Sequence, residues 1–178
     1  IKIGEFDDLT LLDFVVDQGE TMTDDETPSG QKEGAAEAIE NNIRRKMVEK
    51  VTVNPKYYEK MSAILDKLIQ DRQQGVLSYK ELLEEYIKLA KNVDHPEQND
   101  DYPESVRKSK AMQALYDNVG GDEALAIKLH KAVMGSKMSG FRGDSIKENR
   151  IKRALFAILN DDAEVERLFK IIEKQEEY

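Results

Sequence analysis

Ser78-Tyr79-Lys80-Glu81-Leu82-Leu83-Glu84-Glu85-Tyr86-Ile87-Lys88-Leu89-Ala90 decides the fold class. Ser78 and Glu81 form a capping box: the hydroxyl takes an orphan backbone N–H, and the carboxylate reaches back to the cap. Behind that cap, Tyr79, Leu82, Leu83, Tyr86, Ile87 and Ala90 recur at helical spacing, so one face is apolar and the other charged. The same grammar repeats in both directions. Asn54 and Pro55 open a helix whose stripe is Tyr58, Met61, Ile64, Leu65, Leu68 and Ile69, and Gly75 stops it. Upstream, residues 31–51 carry Ala36, Ile39, Ile43 and Met47 on one side. Downstream, residues 94–103 read as a loop, and one helix is expected from Glu104 to Asn118. Gly120-Gly121 breaks it, and Asp122 caps a helix through Leu125, Leu129 and Val133. Ser145-Ile146-Lys147-Glu148 reads as a second capping box, ahead of Ile151, Leu155 and Ile158. Asp161 and Glu164 introduce a last helix with Val165, Leu168, Phe169 and Ile172, then a charged end, residues 173–178. No strand pattern competes. The expected architecture is all-α, about seven helices in an irregular bundle.

Charge divides the chain differently. Residues 1–30 hold nine acids (Glu5, Asp7, Asp8, Asp13, Asp17, Glu20, Asp24, Asp25, Glu26) and one base, Lys2. That leaves 27 acids and 26 bases for residues 31–178, so most of the overall −9 belongs to the first thirty residues. A short helix around Leu9, Leu12, Phe14 and Val16, then the polar run from Thr21 to Gly30, reads as an acidic arm or linker over 1–30. Residues 31–178 form the helical domain. The chain opens on Ile1 and not Met, as a piece of a longer protein would.

Chemistry is sparse. There is no cysteine, which removes disulfides, thiolate metal sites and cysteine nucleophiles. The two histidines, His95 and His130, have no second His at helical spacing, so no metal site is expected. Gly135-Ser136-Lys137 lacks the order of a phosphate-binding loop. No cofactor-binding or catalytic residue is assigned. No apolar run reaches membrane-spanning length, and a cytoplasmic setting is expected.

Two basic stretches remain: Arg44, Arg45, Lys46 and Lys50, and a longer set from Lys137 through Arg142, Lys147, Arg150, Lys152 and Arg153. In the second, Lys147, Arg150 and Arg153 lie opposite Ile151 and Leu155. They are either solubilising charge or a surface for phosphate or an acidic partner. The loop Met138-Ser139-Gly140-Phe141-Arg142-Gly143-Asp144 holds an aromatic outside any helical period. Phe141 either plugs this domain's own core or anchors a partner, with Arg142 and Asp144 beside it.

Four stretches together resemble the C-terminal region of the restriction (R) subunits of type I restriction-modification enzymes. They are Asn54-Pro55-Lys56-Tyr57-Tyr58-Glu59-Lys60-Met61-Ser62; Leu82 to Lys91; Ala114-Leu115-Tyr116-Asp117-Asn118; and Phe141-Arg142-Gly143-Asp144 with Ile146 to Leu155. The resemblance covers about residues 31–178. The family usually carries Trp where Phe141 stands, so the aromatic is kept and the indole N–H lost. The resemblance implies a non-catalytic fragment of an ATP-dependent, site-specific deoxyribonuclease that translocates DNA. ATP and Mg would belong to the parent's other domains. It implies that this helical piece docks the motor subunit onto the methyltransferase (M) core, or binds other domains of the same chain. Contact of the basic face with the DNA backbone is the alternative. Candidate contact residues for either are Phe141, Arg142, Asp144, Lys147, Arg150, Arg153, Arg44 and Arg45.

Overall fold

The computed structural model describes residues 10–99 and 101–178. Leu9, the acids Glu5, Asp7 and Asp8, and Lys2 lie outside the described residues. The fold is all-α, with no strand among the described residues. Its helices are α1 (Leu11–Thr23), α2 (Ser29–Lys50), α3 (Pro55–Gln73), α4 (Tyr79–Asp94), α5 (Glu104–Arg107), α6 (Lys110–Asn118), α7 (Glu123–Ser136), α8 (Ser145–Leu159) and α9 (Asp162–Ile172), with a 3-10 turn at Pro96–Gln98. The helix expected from Glu104 to Asn118 is two: Ser109 leaves the helix and caps α6 through Met112 N–H.

The described residues fall into two compact units. One holds the chain up to Lys50 with Tyr58–Pro96, the other Val51–Tyr57 with Glu97–Tyr178. In the first, α1 packs on α2 and α4. Leu11, Val15 and Met22 are buried, so residues 10–23 belong to a core and not to a free linker. The polar run shortens to residues 24–28, because Thr21–Thr23 finish α1 and Ser29 begins α2. Thr10 and Asp13 cap α1 reciprocally. Gly19 explains how α1 comes so near α4: a Cβ there would stand 2.7 Å from both Leu83 methyls.

This unit also has a polar interior that apolar periodicity does not reveal. Glu40 is 6% exposed. Arg72 grips it with two guanidinium nitrogens, at 2.8 and 2.9 Å, and the Tyr86 hydroxyl donates to the same carboxylate. Arg72 also meets Glu33, which accepts from Tyr79 Oη at 3.0 Å. Helices α2, α3 and α4 are thereby tied by one fully partnered charge network. Burial pushes the Glu40 carboxyl up, against the pull of the Tyr86 hydrogen bond. It pushes the Tyr86 phenol up as well, with the Glu40 hydrogen bond adding to the effect.

The second unit has a core of Ala111, Leu115, Leu129, Val133, Phe141, Ile151, Leu155, Val165, Leu168, Phe169 and Ile172. Asn54 is a hub in this unit. Its Oδ1 accepts from Tyr57 N–H at the start of α3 (3.4 Å) and from Asn118 Nδ2 (2.8 Å), while its Nδ2 donates to Asp117 (2.6 Å). Tyr102 Oη donates to the same Asp117 oxygen at 2.6 Å, and its ring contacts Tyr57 and Tyr116. Arg167 closes the end of α6 by donating to the Asn118 carbonyl at 2.7 Å. Two of the stretches that carry the sequence resemblance, at Asn54 and at Asp117-Asn118, therefore meet through buried side-chain hydrogen bonds.

Candidate interaction surface

α8 begins one residue earlier than the Ser145–Glu148 capping box implies. Asp144 is the N-cap, accepting from Ile146 N–H (3.1 Å) and Lys147 N–H (3.3 Å), and Ser145 is the first helical residue. The carboxylate outcompetes the hydroxyl as acceptor at a helix N-terminus. Those bonds, the Lys147 N–H foremost, hold the Asp144 carboxyl below its ordinary value. Glu148 caps the preceding Gly143 N–H at 2.8 Å. Gly143 sits at φ +79°, a backbone conformation that disfavours a side chain.

The loop before α8 turns inward. Phe141 is 1% exposed, and its ring meets Phe169 edge-on at 6.4 Å between centroids. The Arg142 guanidinium lies 4.6 Å over the Phe141 ring and donates to the carbonyls of Glu173 (2.6 Å) and Gln175 (2.5 Å) just past α9. Phe141 is thus corrected as a partner anchor: it has no free surface to offer. Arg142 is corrected likewise, because its fork is occupied by carbonyls at the negative end of a helix. Lys147 donates to Ser139 O (3.1 Å) and Gly140 O (3.4 Å) and pairs with Asp144, holding the loop shut.

The segment after α9, read from sequence as a charged end, is also docked. Gln175 is 3% exposed and donates to Val53 O at 2.8 Å. Ser109 and Ala111 N–H donate to Glu177, and Lys137 to its carbonyl. Tyr178 is buried, with its Oη 2.8 Å from His130 Nδ1. Burial dominates both groups' acidities, pushing the Tyr178 phenol up and the His130 imidazole down.

Three of the four α2 cations are paired with acids nearby, and Arg45 meets only a neutral amide. Arg44 pairs with Asp66 at 2.7 Å, Lys46 with Glu49, and Lys50 with Asp94, while Arg45 donates to Asn42. The structure places Arg44 and Arg45 in one compact unit and the α8 candidates in the other.

In the second unit, two candidates face outward without an acid. Arg150 makes its one described side-chain contact with Met138 Sδ at 3.7 Å. Arg153 has no ion pair or hydrogen bond among the described residues. Ile151 and Leu155 bury one side of α8, so Ile146, Arg150, Arg153 and Phe156 share the other. Ile146 is 82% exposed, Met138 45% and Phe156 38%. Sequence reasoning found the two arginines and missed these three apolar neighbours. Ile146 and Phe156 were legible as apolar residues off the Ile151–Leu155 line. Met138, in a loop, carried no signal.

Beside Phe156 an open groove of about 450 Å³ is lined by Arg153, Val165, Asp162 and Glu166, among others. Glu166 is taken by Lys152 at 2.7 Å. No group of three or more His, Cys, Asp or Glu that could hold a metal occurs among the described residues. No described helix is long and apolar enough to cross a membrane. The geometry defines a helical surface of paired arginines and exposed apolar side chains. Comparison of the chain with protein-family models, curated proteins and solved structures finds no match.

Proposed function

We propose that this chain is a non-catalytic assembly module, a helical C-terminal piece of the R-subunit kind. In that reading it works in the cytoplasm and docks a DNA-translocating motor subunit onto its methyltransferase core. Nuclease chemistry, ATP and Mg belong to other domains of the parent. The observation that carries the reading is the outward line of α8, where Ile146, Arg150, Arg153 and Phe156 lie exposed together and both guanidinium groups lack an acidic partner among the described residues. Arginine, methionine and aromatic side chains are the types enriched in protein interfaces. The resemblance supports the reading through a different set of residues. Asn54, Asn118 and Phe141 are buried and Asp117 is half-buried against them, so the shared stretches bear on fold, while the surface bears on docking.

The test is binding of the purified chain to the methyltransferase core and, separately, to duplex DNA across a salt series. Saturable binding to the core, weakened by Ile146→Asp, supports the module. The second reading, contact with the DNA phosphate backbone, rests on the same two arginines. It requires affinity for DNA that falls with a log–log salt slope of about −2, the release expected for two phosphates. That slope together with no affinity for the core would replace the docking reading.

A further inference from the structure

We infer that the segment seated on α8 is an acidic amphipathic helix of a partner protein, with its carboxylates over Arg150 and Arg153 and apolar side chains at Ile146 with Met138 and at Phe156. This rests on the assembly reading and adds the chemistry of the occupant. From Ile146 to Phe156 the line runs ten residues along α8, which is about 15 Å of helix axis. A second helix crossing at a shallow angle can follow that length for three turns. The two arginines in the middle present forks that match carboxylates two bonds at a time. The ends are apolar, and Met138 extends the Ile146 end because it touches Arg150.

Charge also orients the occupant. At the Ile146 end Arg150 has no acid partner among the described residues, while Lys147 is held by Asp144. At the Phe156 end the groove holds Asp162 and the Lys152–Glu166 pair beside Arg153. The partner's acids therefore belong toward the Ile146 end, and its groove end is apolar or basic. A reversed helix would set acids against Asp162.

Two other occupants fit worse. A phosphate backbone would satisfy Arg150 and Arg153 but leave Ile146 and Met138 uncovered, and would approach Asp162 and Glu166. Lys147 and Lys152 could not join it without leaving their own partners. A second copy pairing α8 with α8 about a two-fold axis would bring guanidinium groups against each other.

The experiment uses the whole chain with carbon-13 methyl labels, reporting on Ile146 and Met138. Three probes are titrated: a helical peptide with leucines flanking two glutamates at the α8 spacing, the same peptide with glutamine for glutamate, and duplex DNA. The acidic peptide is expected to shift both methyls saturably. Affinity should fall about tenfold or more for Arg150→Glu combined with Arg153→Glu, as for loss of an interface hot spot, and likewise for the glutamine peptide. No methyl shift, or equal binding of both peptides, overturns the inference. So does DNA binding lost in that double variant without any peptide binding, or a concentration-dependent dimer abolished by Ile146→Asp. The methyltransferase core is titrated in parallel. Core binding that survives the double variant sinks this face and leaves the assembly reading standing. No core binding by the parent chain, with peptide binding intact, does the reverse.

Discussion

Replacing Phe141 by alanine separates a core plug from a docking anchor. The ring is 1% exposed, sits edge-on to Phe169 at 6.4 Å and carries the Arg142 guanidinium at 4.6 Å. Truncating a buried Phe costs about 3–5 kcal/mol through lost transfer energy and the cavity left behind. The edge-to-face pair accounts for about 1 kcal/mol of the interaction lost. Arg142 then loses its platform while its carbonyl bonds persist, so the expected cost is near the middle of the range, about 4 kcal/mol. With a urea dependence of about 2 kcal/mol per molar, the midpoint should fall by about 2 M. The assay is urea unfolding followed by circular dichroism, with tyrosine fluorescence as a second probe. Phe141→Leu should recover most of the loss, and Ile146→Ala should stay within about 0.5 kcal/mol of the parent. A Phe141→Ala chain that unfolds within about 1 kcal/mol of the parent yet no longer binds the methyltransferase core would refute the core assignment.

The buried network in the first unit gives a second test. Arg72→Met leaves the Glu40 carboxylate at 6% exposure without its counter-charge, and should cost about 3 kcal/mol in thermal or urea unfolding. Adding Glu40→Gln to that variant should recover a large part, because no buried charge is then left alone. The third is pH. Burial holds the His130 imidazole below its ordinary 6.5, so the unfolded chain takes up the proton first as pH falls. Stability is therefore intact above 6.5 and drops as pH descends from there through the folded-state value. His130→Gln should flatten that part of the urea-midpoint profile, and an unchanged slope would remove His130 as its source.

Helix type and most helix starts were legible because caps and apolar spacing are local. Ser78 with Glu81, Asp122 and Asp161 all cap where the sequence places them. Gly75 ends α3 with φ +64°, which its lack of a Cβ permits. The misses are where a tertiary partner outweighs a local rule. Residues 10–23 look like a polar arm until α2 and α4 cover Leu11, Val15 and Met22. Glu40 and Arg72 look like surface charges on amphipathic helices, because nothing in either helix announces the other's charge. The candidate site divided on the same line. Arg150 and Arg153 were readable as the back of a stripe. Phe141 was readable only as aperiodic, and periodicity says nothing of whether an aperiodic side chain points in or out.

The Asn54 hub has a consequence for how this chain folds as it is made. Residues 51–57 leave the ribosome long before the residues that satisfy them. Asn54 waits for Asn118, 64 positions later, and the Val53 carbonyl waits for Gln175, 122 positions later. The nearly twofold longer loop adds only about 0.6 kcal/mol of closure entropy, so the cost lies in delay and not in equilibrium. Helices α1, α2 and α4 can meet once residue 96 has emerged. The short stretch around Asn54 gains its first mates at residues 117 and 118 and its last at residue 175. Truncations that stop between Asn118 and Gln175 should therefore leave a chain whose first unit is settled and whose Val53 carbonyl still lacks its closing bond.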